Sequence, residues 1–300
     1  MRCLASLPAP FGAVPGGATT RAFFHGDCLD LLARLEPGSV DVVVTSPPYN
    51  LGIRYRSYDD TLPRLAYLRW TRRWLTSVAR VLAPEGSLFL NVGAKPTDPW
   101  AGLDVARVAR RVFTLQNTIH WIKSIAIDRD AAGGAALDRD LAVGHYKPIN
   151  SPRFVNDCHE YVFHFTKHGE TALDRTAIGV PYQDKSNVTR WAAAGADLRC
   201  RGNTWFLPYD TIKSRDKDRP HPATFPPRLP EQCIRLHGRE RARLVVDPFA
   251  GLGSTAVACA RLDVDFAGFD VDDVYLAEAV RRTSAVTPAT AGAGGVLPLR

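Results

Sequence analysis

The chain has 300 residues, 45% of them hydrophobic, and a formal net charge of +7 from 38 Lys and Arg against 31 Asp and Glu. That length suits one α/β domain with an insertion, or two small domains, and the basic balance favours a polyanionic partner. No apolar run approaches membrane-spanning length, and the six cysteines (Cys3, Cys28, Cys158, Cys200, Cys233, Cys259) are scattered without a Cys-x-x-Cys pair. No membrane partner, disulfide framework or zinc site is therefore expected, and a reduced cytoplasmic setting follows.

Residues 1–20 are rich in Pro, Gly and Ala and read as a disordered leader. Arg21 to His25 reads as a short strand, and Gly26-Asp27 leads into a helix with Leu29, Leu32 and Leu35 on one side. Asp27 by itself reads as the N-cap of that helix; its place at a strand's carboxyl end makes a cofactor contact the second reading. After the Pro37-Gly38 break, Val40 to Val44 has the length and β-branched content of a buried parallel strand. The strand stops at Thr45-Ser46-Pro47-Pro48-Tyr49-Asn50, where two prolines cannot continue the ladder. A polar side chain and an aromatic ring are thus held at the edge of an open α/β sheet where ligands bind.

These residue types suit an unusual chemistry. An exocyclic amine of adenine or cytosine is a poor nucleophile because its lone pair is delocalised into the ring, and a catalyst helps by accepting hydrogen bonds from the NH2 group. Ser46 Oγ and the Pro47 carbonyl are acceptors, Pro48 has no N–H and fixes the geometry, and Tyr49 offers a flat face to an extruded base. The tetrapeptide alone also fits a strand-closing turn with a core tyrosine.

Downstream, Arg64 to Leu82 reads as a long amphipathic helix, Ser87 to Val92 as a second buried strand, Leu103 to Phe113 as a helix and Thr118 to Ile122 as a third strand. The βα rhythm breaks at Ser124 to Asn156, a long loop, and resumes with the alternating strand His159 to Lys167. From His168 to Arg219, Arg190, Arg199, Arg201, Lys213, Arg215 and Lys217 are interleaved with Tyr182, Trp191, Trp205, Phe206 and Tyr209. That mixture suits a nucleic-acid surface, or else a small accessory subdomain with a solvated face. His221-Pro222-Ala223-Thr224-Phe225-Pro226 then introduces a helix, and Leu244 to Asp247 is a strand. Pro248-Phe249-Ala250-Gly251-Leu252-Gly253-Ser254-Thr255 is a turn leading into a helix from Ala256 to Leu262. Its glycines let backbone pass close to a ligand at a helix start, and Asp270, ending the next strand, stands where an acidic side chain receives ribose hydroxyls. The GxGxxG spacing and the Gly-Lys-Ser/Thr of a P-loop are absent, which argues against a nucleoside triphosphate. Residues 285–300 read as a flexible tail.

The ordered set Gly-Asp-Cys-Leu, Thr-Ser-Pro-Pro-Tyr-Asn, His-Glu-Tyr-Val-Phe-His-Phe-Thr-Lys, His-Pro-Ala-Thr-Phe-Pro and Asp-Pro-Phe-Ala-Gly-Leu-Gly-Ser-Thr resembles the amino-methylating DNA methyltransferases, in particular their beta class. The likeness spans about Arg21 to Arg282. It implies an α/β fold with a seven-stranded, Rossmann-like sheet of permuted order that binds S-adenosylmethionine. The implied organisation is a catalytic half (21–167), a target-recognition region (168–219) and a cofactor-binding half (220–284). By the same resemblance Asp247, Phe249, Gly251 and Gly253 line the methionine and adenosine, Asp270 holds the ribose, and Asp27 lies on the adenine side. His221, Pro222, Ala223 and Phe225 complete that pocket, and Ser46, Pro47, Pro48 and Tyr49 hold the target base. Ala250 and Leu252 depart mildly from the family's usual residues.

The implied reaction is methylation of a base amine in duplex DNA by base flipping and direct transfer, with no metal; Pro-Cys, expected for methylation at cytosine carbon, is absent. By the same resemblance, Ser46 before Pro-Pro-Tyr implies cytosine N4 as the target, with adenine N6 the alternative. A catalytically inactive DNA-binding module and an RNA or protein methyltransferase are the competing classes. The sequence leaves open whether a cognate restriction endonuclease accompanies the chain and whether it acts as a homodimer.

Overall fold

The computed structural model describes residues 4–131, 137–144, 149–190, 197–208 and 224–286. The apolar run beginning at Val40 forms β3 (Val40–Thr45), buried at every position. It lies inside a parallel set built from β2 (Thr20–His25), β4 (Leu82–Val92), β10 (Leu244–Asp247) and β11 (Asp265–Asp270), in the spatial order β2, β11, β10, β3, β4. Strand β8 (His159–Thr166), antiparallel to β4, and then β5 (Thr114–Ile122), antiparallel to β8, continue the sheet beyond β4, completing seven strands.

Both faces of this sheet are covered, which is why its central strands β3 and β10 read as continuous apolar runs rather than alternating ones. Helices α1 (Cys28–Arg34), α2 (Arg64–Val81) and α3 (Ala101–Ala109) share one core cluster, where Leu32, Trp74, Leu75 and Val78 meet Val43, Leu88, Leu90 and Val246. Helices α5 (Arg228–His237), α6 (Ser254–Leu262) and α7 (Asp273–Ser284) share the other, where Leu229, Ile234, Cys259 and Leu276 meet Val42, Val44, Phe89 and Val245. Successive strand residues alternate between the two clusters, as a pleat of period two requires. Among the described residues no helix is long and apolar enough to cross a membrane, and no group of His, Cys, Asp or Glu could hold a metal ion.

Three expectations need correction. First, the leader is not featureless: β1 (Gly12–Pro15) pairs antiparallel with β2, and Leu7 is buried. The free edge of β2 offers backbone partners, and Gly12 fits so tightly against α7 that a Cβ there would lie 2.7 Å from Val280 Cγ2. Second, the stretch after Ser124 holds a small antiparallel pair, β6 (Ser124–Ile127) with β7 (Leu141–Gly144). Third, the basic and aromatic stretch, which contains the short helix α4 (Ser186–Arg190), also supplies β9 (Thr204–Phe206), parallel to β5. Trp205 is consequently a core side chain, 1% exposed, and not part of a nucleic-acid surface. Among the described residues the sheet therefore has nine strands, with β1 and β9 added at the two edges of the seven-stranded arrangement expected from the sequence. Trp191, Tyr209, Lys213, Arg215, Lys217, His221, Pro222, Ala223 and the expected tail from residue 287 onward lie outside the described residues.

Candidate active site

The carboxyl ends of β2, β3, β10 and β11 open into one cavity. Asp27, Ser46, Pro47, Pro48, Tyr49, Phe225, Asp247, Phe249, Gly251 and Asp270 all line it, so the structure brings together both groups of expected site residues. Asp27 also caps α1, accepting from the Leu29 amide at 2.7 Å. Gly253 is not among the lining residues. It precedes α6 in the left-handed region (φ 73°), and a Cβ there would sit 2.8 Å from Ala279 Cβ, so its smallness serves the approach of α7.

Asp247 lines the cavity and is 1% exposed. It accepts from Thr45 Oγ1 and Thr255 Oγ1, each at 2.7 Å, and from the Phe249 amide at 3.1 Å. Burial pushes its pKa up to about 6, against these three hydrogen bonds, which favour the ionised form. Asp270 spans the glycine turn and its own strand end: Gly251 N–H donates to one carboxylate oxygen at 2.8 Å and Asp272 N–H to the other at 2.9 Å. Burial raises its pKa too, with those amides opposing. Phe249 stands edge-on to Trp70 and Trp74, with ring centroids 5.5 and 5.3 Å away, and so gives the cavity an aromatic wall.

The segment after Tyr49 is wound around Asp60, which is 1% exposed and accepts from the amides of Asn50, Leu51 and Ile53. Its far side reaches α7, where Arg56 and Ser57 both bond the Asp272 carboxylate. Tyr55 and Tyr58 are thereby brought to the cavity wall. Tyr67 Oη donates to the Pro48 carbonyl at 2.8 Å, fixing the Pro-Pro turn from α2.

The Tyr49 hydroxyl is held in a polar cluster that sequence reasoning missed. Ser46 Oγ lies 2.7 Å from it, Asn91 Nδ2 donates to it at 2.7 Å, and it donates to Glu160 Oε2 at 3.0 Å. Asn91 also donates to Glu160 Oε2 at 2.7 Å, and Lys123 Nζ donates to Glu160 Oε1 at 3.0 Å. Asn91 interrupts the apolar run of β4, and Glu160 sits in the otherwise apolar and aromatic β8. Asn91, a buried polar residue in an apolar run, was the available signal; Glu160, in the partly exposed start of β8, gave none.

A family model described as DNA methylase (N6_N4_Mtase) matches residues 40–281. The chain is 30% identical over 283 residues to the type II methyltransferase M.XycI of Xanthomonas campestris pv. cyanopsidis, covering 86% of each chain. It is 27% identical over 259 residues to M.HpaI of Haemophilus parainfluenzae, covering 85% of this chain and 72% of that one. Among solved structures it is similar in fold to the cytosine-N4-specific PvuII DNA methyltransferase, with a TM-score of 0.62, 20% identity and coverage of 94% and 90%. It is also similar to the DNA modification methylase TTHA0409 of Thermus thermophilus in complex with S-adenosyl-L-methionine, with a TM-score of 0.53, 24% identity and coverage of 87% and 92%.

Proposed function

Since this chain belongs to the N6/N4 amino-methylating DNA methylase family and is thereby a DNA methyltransferase, we propose that it carries the methyl group of S-adenosylmethionine to the N4 amine of a cytosine flipped out of duplex DNA. The observation that carries this reading is the bond between Thr45 and Asp247, 2.7 Å long across 202 residues of sequence. It fastens the end of β3, which bears Ser46, to the end of β10, which bears the glycine turn, so that a base and a cofactor would meet in one cavity.

The residues present fit S-adenosylmethionine. Asp27, Asp247, Asp270 and Asp272 make the cavity strongly acidic, and Phe249 with Trp70 gives it a flat apolar side. A ligand with cationic sulfonium and amino groups, an adenine ring and ribose hydroxyls matches that set. When bound, the cofactor supplies an activated methyl group on sulfur. Asp270 and Asp27 are assigned to the ribose and adenine side, and Asp247, Phe249 and Gly251 to the remainder. Ser46 Oγ and the Pro47 carbonyl accept hydrogen bonds from the target amine, which localises its lone pair, while Tyr49 presents its ring to the base. The amine nitrogen would bond to the methyl as the methyl–sulfur bond breaks, leaving the cofactor as a neutral thioether, and the methylated amine would then lose one proton, with no covalent enzyme intermediate. Ser46 ahead of Pro-Pro-Tyr is what favours cytosine over adenine. Residues 168–219 are assigned to reading the DNA sequence, and exchanging that segment for a relative's should change the methylated site. Nucleoside mass spectrometry of DNA treated with the pure protein should yield N4-methyldeoxycytidine; N6-methyldeoxyadenosine in its place overturns the choice of base.

A further inference from the structure

We infer that Glu160 is a positioning residue for methyl transfer: acting through Tyr49, it turns the Ser46 hydroxyl so that its lone pairs face the target amine. The inference rests on the proposed amine chemistry and holds for either base.

A serine hydroxyl has one proton and can donate or accept, so the usefulness of Ser46 depends on where that proton points. The cluster around Tyr49 decides it. Glu160 is paired with Lys123 at 3.0 Å, the two side chains being 13% and 17% exposed. An ionised carboxylate only accepts, so its contact with Tyr49 Oη at 3.0 Å takes the single phenolic proton. Asn91 occupies a second place on the phenolic oxygen and also donates to Glu160 Oε2, each at 2.7 Å, which commits both amide hydrogens and leaves its 3.4 Å approach to Ser46 Oγ the weakest of the three. The reverse amide orientation would set Asn91 Oδ1 against a carboxylate oxygen at 2.7 Å, acceptor against acceptor, and is excluded on that ground. With its own proton committed to Glu160, Tyr49 Oη can only accept from Ser46 Oγ at 2.7 Å. The serine proton therefore points away from the base, and its oxygen is left to accept from the amine. Polarity runs one way along the chain: amine to Ser46, Ser46 to Tyr49, Tyr49 to Glu160. Gly93 is part of the same packing, since a Cβ there would lie 3.1 Å from both the Glu160 carboxyl carbon and Tyr49 Cε2.

Glu160→Gln keeps size and shape but replaces one acceptor by an NH2 group that can donate to Tyr49, which releases the Ser46 proton to rotate. Single-turnover transfer of tritiated methyl to DNA, with protein in excess, should fall roughly 10- to 100-fold, the worth of one hydrogen bond to a charged group. The cofactor dissociation constant should stay within about twofold, as Glu160 touches Tyr49, Asn91 and Lys123 rather than the acidic end of the cavity. The distinguishing readout is the same substitution made in a Ser46→Ala background. With no hydroxyl left to orient, Glu160→Gln should cost less than about threefold there, whereas a merely structural carboxylate costs the same in both backgrounds. Equal losses, a Glu160→Gln protein that transfers at the original rate, or a Ser46→Ala protein with no measurable transfer each overturn the inference. If Glu160→Gln does not fold, Tyr49→Phe interrupts the chain at its middle hydroxyl while keeping the ring, and the same cycle applies. An unsubstituted protein that labels no DNA would instead overturn the proposed function.

Discussion

Replacing Asp247 by asparagine separates what this residue does for folding from what it does for the ligand. The carboxyl is 1% exposed and its pKa is pushed up to about 6 by burial, from 3.8. Between those values the folded protein binds a proton that the unfolded chain does not, so this group lends stability at low pH and withdraws it as pH rises through 6. About one pK unit of that displacement is traversed between pH 5 and pH 8, equivalent to about 1.4 kcal/mol. Asparagine does not titrate, keeps one oxygen for Thr45 or Thr255, and leaves the other hydroxyl free to turn and accept. Urea unfolding of the two proteins should therefore show Asp247→Asn gaining about 1.4 kcal/mol relative to the parent on going from pH 5 to pH 8. All other titrations cancel in the comparison. Calorimetry at pH 8 should show the same variant binding S-adenosylmethionine more weakly, because a charge facing a cationic ligand is gone. A stability difference that does not change with pH would refute the argument that burial opposes ionisation here, and stronger cofactor binding would refute the residue's assignment.

Other consequences are simpler to read. Ser46→Ala should lower single-turnover methylation roughly 10- to 100-fold with cofactor affinity retained, and Tyr49→Ala should do likewise; cofactor affinity collapsing together with rate would remove both from the base side. Asp270→Ala deprives the Gly251 and Asp272 amides of their acceptor, so cofactor affinity should fall, with turnover partly restored at high cofactor concentration; unchanged affinity would end its assignment to the ribose. His164 and His237 share Ser87 Oγ in the core, and burial lowers their pKa values to about 3 and about 4. An unfolded chain takes up these protons near pH 6.5, so their neutral burial supports the fold above that pH and fails as pH falls toward 4. His237 alone accounts for about 3 kcal/mol across that window, and a protein equally stable to urea at pH 7 and pH 5 would contradict it.

The sheet was legible wherever both faces are covered, because burial on both sides writes itself as an unbroken apolar run, as in Val40–Thr45 and Leu244–Asp247. It was illegible at the edges. The four residues of β1 bury only alternate side chains, partly, and owe their order to the open side of β2. Trp205 looked like one more aromatic among arginines because its partner, β5, lies far behind it in the chain. Within the site, the Ser-Pro-Pro-Tyr turn and the glycine turn announced themselves by backbone chemistry that few residues provide. Glu160 did not, since it stands 111 residues from the tyrosine it holds and nothing local to His159-Glu160-Tyr161 specifies that contact. Thr45 and Thr255 were silent for the same reason: a threonine at a strand end or in a first helical turn is unremarkable until Asp247 is seen between them.

The bond between Thr45 and Asp247 joins neighbouring strands, β3 and β10, that the chain visits at widely separated times. Connectivity is thus immaterial to the site; only adjacency in the sheet is required. At the far margin, β1 lies against α7, with Gly12 pressed on Val280, so an early strand and a late helix of the described residues meet there. A gene that begins with β10 and β11 and ends with β2, β3 and β4 is therefore expected to assemble the same cavity, and loss of S-adenosylmethionine binding in such a protein would refute that expectation.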